Sequence, residues 1–546
     1  MQHMQAAGSI PGCIAGNTAL GSGQGDEIPA ICSTIRGLRA PTPVPAQDAM
    51  AKEIELKLAL AEHGWPAFSR HPLLREAIAA PHRQSLRNLY FDTPDLALKR
   101  QRVALRLRQT GRRWVQTVKC AAAARAGLSA RPEWETPFDG HFDFSAVDDE
   151  AVRAELESLR DRGALATVFD TNFERREWRF AAEGGEVLLM ADRGHIISGE
   201  HRETISEIEL EIAGGASVPA LLDIAARLAE RLPLRAESRS KAQRGYELMA
   251  GSTPVAVRAS RSPLSAEATP DEAFKAIALD CIAHYQANEH GALTSEAPEF
   301  VHQMRVALRR LRSALRVFGP ALPEGVADGL TGRLRALAGD LGELRDRDVL
   351  HEELLSPALV AHRSAGLKKL ERHLAAARSQ TRDRVLIALQ DGRQARLMIA
   401  LLQTLHAAPP AEHRLSLQAL ARKRLARARS RVAAAVDHAR GGDIAALHAL
   451  RIDVKRLRYA VEFFMPLLPH KKAQRTLALL TEAQEKLGFI NDLSQAGPRL
   501  LLAADGDAAM LRAVSQIAAL HMPRYRQIID HAPKLLRTLS RLPKLN

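Results

Sequence analysis

The sequence predicts an α+β multidomain protein in which an eight-stranded antiparallel β tunnel or barrel precedes an all-α domain made of a duplicated helical bundle. Three observations support this fold class. The chain has 546 residues, which is too many for one ordinary hydrophobic core. Its first half alternates apolar and polar residues, whereas its second half is rich in Ala, Leu and Arg at helical spacing. A motif of the second half also recurs further along the chain.

Composition divides the chain into a leader and two domains. The leader, residues 1–49, is rich in Gly, Ala, Pro and Ser without periodicity, and we expect it to be disordered. Because Met50 opens the first patterned segment, the natural chain is expected to begin either there or with the leader. A linker over 251–270 contains Gly, Ser and Pro and separates a β domain over 50–250 from a helical domain over 271–535.

Eight segments of the β domain predict strands, because aliphatic and polar residues alternate between turn residues. They span 52–60, 86–92, 102–110, 113–120, 131–138, 170–180, 186–193 and 203–212. Helical stretches near 71–80, 148–165 and 217–231 interrupt them. A mostly antiparallel order of this many strands favours a barrel or a strongly curved sheet.

Charge is distributed unevenly between the two domains. Residues 50–250 hold 30 basic and 31 acidic side chains, whereas residues 251–546 hold 45 and 29. The net charge of +14 therefore belongs to the helical half, for which it predicts a polyanionic partner.

Several classes of protein are excluded. The four cysteines lack the spacing of a disulfide scaffold or a zinc site, and this favours a reducing cytoplasm. No apolar run approaches the roughly 18 residues that a membrane span needs, so no membrane partner is expected. The first 30 residues lack the pattern of a secretory signal.

Charged residues share one face on several predicted strands, since successive side chains of a strand point to opposite sides. The residues that alternate in this way are Glu53, Glu55, Lys57, Arg106, Arg108, Lys119, Glu133, Glu135, Glu207, Glu209 and Glu211. Two interpretations remain open: the face is solvated on the outside, or it lines a barrel interior that carries both signs of charge. A polyphosphate with a divalent metal would satisfy such an interior, because carboxylates bind hard cations and Arg and Lys bind phosphate oxygens.

The β domain also carries an ordered set of motifs. They are E-x-E-x-K from Glu53, Tyr90-Phe91-Asp92-Thr93-Pro94, Leu105-Arg106-Leu107-Arg108, Lys119-Cys120, Glu207-Ile208-Glu209 and Ser240-Lys241. This set resembles the CYTH superfamily of triphosphate tunnel metalloenzymes, which includes bacterial inorganic triphosphatases, thiamine triphosphatases and class IV adenylate cyclases. The resemblance covers residues 50–250 and implies an eight-stranded tunnel that binds a triphosphate with Mg²⁺ or Mn²⁺.

The resemblance also implies roles for individual residues. The implied metal ligands are Glu53, Glu55, Glu207, Glu209 and Asp192. The implied phosphate-binding residues are Lys57, Arg106, Arg108, Lys119, Lys241 and either Arg175 or Arg176. Glu53, Glu55 and Lys57 form the candidate catalytic set, in which metal and cations neutralise charge on the transferred phosphoryl group. Glu135 and Glu211 fit either the tunnel wall or an exposed face, and His195 and His201 are expected to be ordinary surface or turn residues.

The helical domain carries one motif twice. Residues 301–312 match residues 447–458 at an offset of 146, and Leu341-Gly342 and Asp346 match Leu487-Gly488 and Asp492 at the same offset. The offset predicts two helical bundles related by duplication. At helical spacing, the basic residues of each copy form a stripe beside the apolar face, where cations need an anion. The stripes contain His302, Arg305, Arg309 and Arg312 in the first copy and His448, Arg451, Lys455 and Arg458 in the second.

The motif H-x-x-R-V-x-x-R-R-x-R from His302 and its degenerate second copy resemble the CHAD domain, a helical module associated with polyphosphate binding. This implies inorganic polyphosphate as the ligand of both stripes, with the two histidines as phosphate contacts or packing residues. Lys455 replaces an arginine and Asp453 adds an acid, so the second stripe is expected to bind less strongly. Nucleic acid is not expected, because the stripes lack interleaved aromatic residues that stack on bases.

The predicted function is metal-dependent hydrolysis of inorganic triphosphate in the tunnel, with polyphosphate binding by the helical domain. One alternative uses the same tunnel as a class IV adenylate cyclase or as an organic triphosphatase. Another is a polyphosphate-binding scaffold without catalysis. The expected location is the cytoplasm, with association with polyphosphate granules as a further expectation.

Overall fold

The computed structural model describes residues 53–120, 128–260, 264–407 and 415–545. Within these ranges the side chains of residues 53, 128–131 and 407 are not described. The leader at 1–49 and the side chain of the predicted ligand Glu53 therefore lie outside the described part of the chain.

Ten strands form one antiparallel sheet in the first half of the chain. They are β1 Glu53–Leu60, β2 His82–Asp92, β3 Val103–Thr110, β4 Arg113–Cys120, β5 Leu128–Arg131, β6 Glu133–Pro137, β7 Ala166–Ala182, β8 Gly185–Ser198, β9 His201–Ala213 and β10 Leu234–Ala236. Eight of them correspond to the predicted segments. The expected count of eight misses β5 and β10, because strands of four and three residues are too short to show an alternation.

Five helices accompany the sheet, and ten follow it in the described residues. The first five are α1 Trp65–Ser69, α2 Ala97–Arg100, α3 Glu150–Asp161, α4 Val218–Ala229 and α5 Lys241–Met249. The others are α6 Pro270–Thr294, α7 Glu299–Phe318, α8 Val326–Val349, α9 Ser356–Ala361, α10 Ala365–Gln390, α11 Arg393–Ala407, α12 Leu417–Ala439, α13 Ile444–Phe464, α14 His470–Ala504 and α15 Ala508–Ser540. The expected helix near 71–80 is only a short 3₁₀ turn over Pro72–Glu76.

The sheet closes on itself through the two short strands β5 and β6. The strand order runs β10-β1-β9-β8-β7-β2-β3-β4-β6, and β5 pairs with β1. Only Pro132 separates β5 from β6, so this segment joins β1 to β4. Proline lacks a backbone N–H and therefore interrupts the ladder between them. The predicted eight-stranded tunnel is present, with one wall strand split in two and β10 added beside β1.

The apolar side of the barrel wall faces outward and is covered by helices. Leu56 and Leu58 of β1 pack in one core with Leu221 and Leu222 of α4. On β3, Leu105 lies in a second core with residues of α3. Since neighbouring side chains of a strand alternate, the charged residues of these strands face the barrel interior. Of the two interpretations of the charged face, the inward one agrees with the structure.

The helical domain follows the predicted duplication. Helices α7 and α8 hold the first copy of the repeated motifs, and α13 and α14 hold the second. The breaks at Gly319-Pro320 and Gly441-Gly442 fall after α7 and α12, whereas Pro409-Pro410 lies outside the described residues. Among the helices that the structure describes, none combines the length and the apolar character that crossing a membrane requires.

Candidate functional site

The barrel interior contains a cavity of about 540 Å³ whose lining carries both signs of charge. The acidic side is provided by β1, β8 and β9, and the basic side by β3 and β4. In the closed strand order, β9 lies opposite β3 and β8 lies opposite β4. The two charged walls therefore face each other across the cavity.

Three buried carboxylates form the centre of the acidic wall. Asp192 of β8 pairs in register with Glu207 of β9, and Glu209 follows on the same face. The three residues are 0%, 2% and 5% exposed, and one oxygen of each lies within 4.8 Å of the others. Among the described residues, this is the one group of three or more His, Cys, Asp or Glu side chains spaced to share a metal ion. A buried group of this kind requires compensating positive charge.

Lys241 supplies part of that charge. Its Nζ donates to Asp192 Oδ2 at 2.7 Å, to Glu209 Oε1 at 3.1 Å and also to Glu207. Burial lowers the pKa of Lys241, but the three carboxylates outweigh burial and raise the pKa above its usual value. Desolvation in turn raises the pKa of Glu207. The ammonium group thus occupies the place between carboxylates that a hard cation would prefer.

Two more cations contact the same cluster. Arg175 of β7 forms a bidentate pair with Asp192, at 2.8 Å and 2.7 Å, and donates to Glu209 at 2.6 Å. Lys57 of β1 lies 3.2 Å from both Glu55 and Glu209. Desolvation raises the pKa of Glu209, but Lys241, Lys57 and Arg175 outweigh it and hold that pKa well below its usual value. Glu209 is therefore a stable carboxylate at the junction of three cations.

The sequence around α5 explains how Lys241 reaches the cluster. Ser240 accepts a hydrogen bond from the backbone of Gln243 and caps the helix, so that Lys241 is its first residue. Tyr246 of the same helix donates to Asp92 at 2.8 Å, and Asp92 also accepts from the backbone of Leu98 and Lys99 in α2. Asp92 therefore docks α5 against the barrel without lining the cavity, whereas Tyr90 of the same motif does line it.

The basic wall holds Arg106 and Arg108 of β3 and Lys119 of β4. Lys119 lies 2.6 Å from Glu133 of β6, and Arg106 lies 3.4 Å from the same carboxylate. Arg108 lies 3.5 Å from Glu135, which is half-exposed and also accepts from Thr117. All three cations line the cavity. Guanidinium and ammonium groups are the side chains that pair with anionic oxygens.

The register separates Arg175 from Arg176. Arg175 pairs with Asp192 inside the barrel, whereas Arg176 is absent from the cavity lining and pairs with Glu174 at 3.0 Å. Of the two alternatives for a phosphate-binding arginine, Arg176 is therefore placed away from the site. The remaining predicted tunnel residues with described side chains line the cavity or belong to the acidic cluster, namely Glu55, Lys57, Arg106, Arg108, Lys119, Asp192, Glu207, Glu209 and Lys241.

The structure adds Arg244, which the sequence interpretation missed. Arg244 is 5% exposed and donates to Glu207 at 2.8 Å and to Glu203 at 2.7 Å. It lies three residues after Lys241, on the same side of α5. The spacing alone would have indicated it, had α5 been recognised as a helix.

The two basic stripes of the helical domain meet where α7 lies beside α13. Arg309 Nε donates to the Tyr459 hydroxyl of α13 at 2.7 Å. Desolvation and the charges of Arg309, Arg451, Arg316 and Arg305 lower the pKa of Lys455 to about 7. The stripes that the sequence predicts separately therefore form one surface, defined here as the paired stripes. It contains Arg305, Arg309, Arg312 and Arg316 of α7 and Arg451, Lys455 and Arg458 of α13.

The repeated glycines explain part of the duplicated motif. A Cβ atom at Gly342 of α8 would lie 2.7 Å from Arg305 Nη1, so glycine at this position leaves room for the Arg305 guanidinium group against that helix. Arg305 then lies 3.7 Å from Asp346. In the second copy Arg451 lies near Gly488 and 4.0 Å from Asp492. The same contact thus orients one arginine in each stripe.

The histidines and Asp453 are placed beside the stripes. Desolvation, together with Arg345, lowers the pKa of His302 to about 4, so its imidazole is neutral at pH 7. His448 Nδ1 is hydrogen-bonded to Asn491 at 2.5 Å. Asp453 pairs with Arg456 at 2.8 Å rather than with a cation of the paired stripes.

Comparisons with known proteins agree with both halves. A CYTH domain model matches residues 51–246, and a CHAD domain model matches residues 276–501. An inorganic triphosphatase of Haemophilus influenzae is 31% identical over 208 residues, which are 37% of this chain and 56% of the relative. An uncharacterized protein of Mycobacterium tuberculosis is 28% identical over 411 residues, 69% of this chain and 75% of the relative. The solved CHAD domain of the plant Ricinus communis is 32% identical and covers 54% of this chain and 99% of its own, with a TM-score of 0.47.

Proposed function

Because the chain is a fusion of a CYTH domain with a CHAD domain, we propose that its barrel hydrolyses inorganic triphosphate with a divalent metal and that its helical domain binds polyphosphate. The observation that supports hydrolysis is the cavity in which a buried carboxylate cluster faces Arg106, Arg108 and Lys119. This chain matches just over half the length of the inorganic triphosphatase of Haemophilus influenzae. The activity of that protein therefore supports the proposal without establishing it.

The carboxylates fit a metal ion by their chemistry. Asp192, Glu207 and Glu209 offer oxygen ligands, which Mg²⁺ and Mn²⁺ prefer, and Lys241 already holds a positive charge among them. When bound, such a cation would neutralise phosphate charge and activate water. Glu55 is held beside Glu209 by Lys57 and completes the acidic wall.

The cations of the cavity would bind and orient the substrate. Arg106, Arg108 and Lys119 would bind and orient the phosphates from the opposite wall, with their charges directed at oxygens that become more negative as the phosphoanhydride bond breaks. Against desolvation, Lys241, Lys57 and Arg175 hold the pKa of Glu209 well below its usual value, so that this carboxylate stays available as a ligand at neutral pH. No covalent intermediate is needed for this reaction.

The test offers tripolyphosphate, ATP and thiamine triphosphate with Mg²⁺ or Mn²⁺ and measures phosphate, pyrophosphate and cyclic AMP. We expect phosphate from tripolyphosphate, and its loss in Glu209→Gln. Glu174→Gln is the matched control, because Glu174 is an exposed strand carboxylate paired with Arg176. Cyclic AMP as the main product would favour the cyclase, and a preference for ATP or thiamine triphosphate would favour an organic triphosphatase. No turnover would favour a binding scaffold.

Polyphosphate binding is supported by the seven basic residues of the paired stripes. Desolvation and the charges of neighbouring arginines lower the pKa of Lys455 and of Arg305, so an anion that neutralises them would be favoured. We expect the full chain to bind long polyphosphate with a strong salt dependence. The triple variant Arg305→Ala, Arg309→Ala and Lys455→Ala should bind far more weakly. Equal affinity of this variant and the wild type would contradict the proposal.

A further inference from the structure

A second basic cavity lies beside the paired stripes, between α7, α12 and α13. It has a volume of about 280 Å³ and is lined by five arginines. Defined here as the arginine pocket, it contains Arg316, Arg424, Arg427, Arg431 and Arg456. The motifs that predict the stripes include none of the three residues from α12.

The three arginines of α12 reach the pocket because of their spacing. Arg424, Arg427 and Arg431 are three and four residues apart and therefore lie on one side of the helix. That side borders the apolar face, on which Leu425 and Val432 are buried in the core. The helix thus repeats the arrangement of α7 and α13, with a basic stripe next to a packed face.

The pocket is electrostatically unbalanced. One carboxylate, Asp453, is in the lining, and its Oδ1 is already paired with Arg456 at 2.8 Å. Desolvation and the charges of Arg427 and Arg431 lower the pKa of Arg424. Desolvation and the charges of Arg456 and Arg312 likewise lower the pKa of Arg316. Five cations against one acid favour a ligand with several negative charges.

Two donors of the pocket also lack an acceptor. The Nε atoms of Arg424 and Arg456 are buried and have no hydrogen-bond partner among the described residues. A buried donor without an acceptor is destabilising, and an incoming oxyanion would remove that penalty. One guanidinium group can donate two parallel hydrogen bonds to two oxygens of a phosphoryl group. A phosphoryl group is therefore the ligand that suits this pocket.

Arg316 connects the pocket to the paired stripes. It lines the pocket, and its charge also contributes to the lowered pKa of Lys455. A phosphate chain lying along the stripes would therefore reach the pocket without leaving positively charged surface.

We propose that the arginine pocket binds phosphoryl groups of a polyphosphate chain that lies along the paired stripes, so that the binding surface extends from α7 and α13 onto α12. This inference rests on the proposed polyphosphate binding of the helical domain. It adds Arg424, Arg427 and Arg431 as ligand contacts.

The experiment compares two double variants of the full chain. In the pocket pair, Arg424→Gln and Arg427→Gln remove two lining guanidinium groups. In the control pair, Arg422→Gln and Lys423→Gln remove two exposed cations of the same helix that are absent from the pocket lining. Both pairs change the net charge equally, so non-specific attraction falls by the same amount.

Titration calorimetry with long polyphosphate at several salt concentrations measures the effect. We expect the pocket pair to bind about tenfold or more weakly than the control pair, because it loses two charge-assisted contacts to phosphoryl oxygens that the control pair keeps. Its affinity should also depend less steeply on salt. Arg424→Lys with Arg427→Lys should recover part of the affinity, since lysine keeps the charge but loses paired donors. Melting temperatures of all variants show that each is folded.

Equal affinity of the pocket pair and the control pair, with binding still weakened by the triple stripe variant, would overturn this inference and leave the proposed function intact. No binding of polyphosphate by the wild type would overturn both. Orthophosphate offered alone distinguishes a free anion from a phosphoryl group of a chain. If the pocket pair abolished orthophosphate binding but left polyphosphate binding unchanged, the pocket would be a site for free phosphate and the inference would be wrong.

Discussion

Lys455 is the residue through which polyphosphate affinity is expected to depend on pH. It lies in the paired stripes, where desolvation and four arginines, Arg309, Arg451, Arg316 and Arg305, lower its pKa to about 7. A bound phosphate chain would add negative charge next to the ammonium group and raise this pKa again. Binding near neutral pH therefore takes up a proton at Lys455, and affinity falls as pH rises.

The size of the effect follows from the pKa of about 7 in the free protein. Lys455 is charged in about nine-tenths of molecules at pH 6 and in about one-tenth at pH 8. If the complex keeps it charged throughout, affinity falls about tenfold between these pH values, which corresponds to about 1.4 kcal/mol. In the free protein the pKa of His302, lowered by desolvation and by Arg345 to about 4, leaves its imidazole neutral over this range.

The assay is calorimetric titration of the full chain with long polyphosphate at pH 6, 7 and 8 and constant ionic strength. Lys455→Arg is the matched variant, since arginine keeps its charge at all three pH values. We expect its affinity to vary much less with pH than that of the wild type and to exceed it at pH 8. The same pH profile in both proteins would refute the reasoning, because the titrating group would then lie elsewhere.

Three further predictions concern the barrel. Chelation of divalent cations should abolish phosphate release from tripolyphosphate, and Mn²⁺ or Mg²⁺ should restore it in the wild type but not in Glu209→Gln. Arg244→Met should lower the free energy of unfolding by about 3–5 kcal/mol, because it breaks a buried ion pair and leaves Lys241 to compensate Glu207. Arg179→Met, which removes an exposed arginine paired with Glu177, should cost at most about 1 kcal/mol. Urea denaturation measures both values, and similar losses would contradict the burial argument. Gly245→Ala would place a methyl group 2.1 Å from the Phe169 ring. We therefore expect the free energy of unfolding to fall by about 1–3 kcal/mol and the activity to decrease. An unchanged melting temperature would contradict this prediction.

Strand alternation was sufficient to predict most of the barrel and its charged faces. It could not show which way those faces point, because charged and apolar residues alternate in the same way whether the charged face points inward or outward. The choice depends on which side the helices cover, and Leu56 and Leu105 show that they cover the apolar side. The same limit applies to Arg175 and Arg176, which are adjacent in sequence and are separated only by the register of β7 against β8.

The helical wheel predicted each basic stripe but not their convergence. Convergence depends on the packing of α7 against α13, a contact between residues about 150 positions apart. The lowered pKa of Lys455 follows from that packing and could not be inferred from either copy alone. The arginines of α12 were missed for a different reason, since they carry helical spacing without the repeated motif.

Phosphate release from tripolyphosphate by Arg175→Gln and Arg176→Gln tests the central claim most directly. The two arginines are neighbours on one strand, but only Arg175 contacts the carboxylate cluster inside the barrel. We predict that Arg175→Gln loses about a hundredfold or more in kcat, the usual cost of one preorganised charged group, while Arg176→Gln stays close to the wild type. Both variants should be folded by their melting temperatures. Equal activity of two folded variants would contradict the claim that the charged interior of the barrel carries out the reaction.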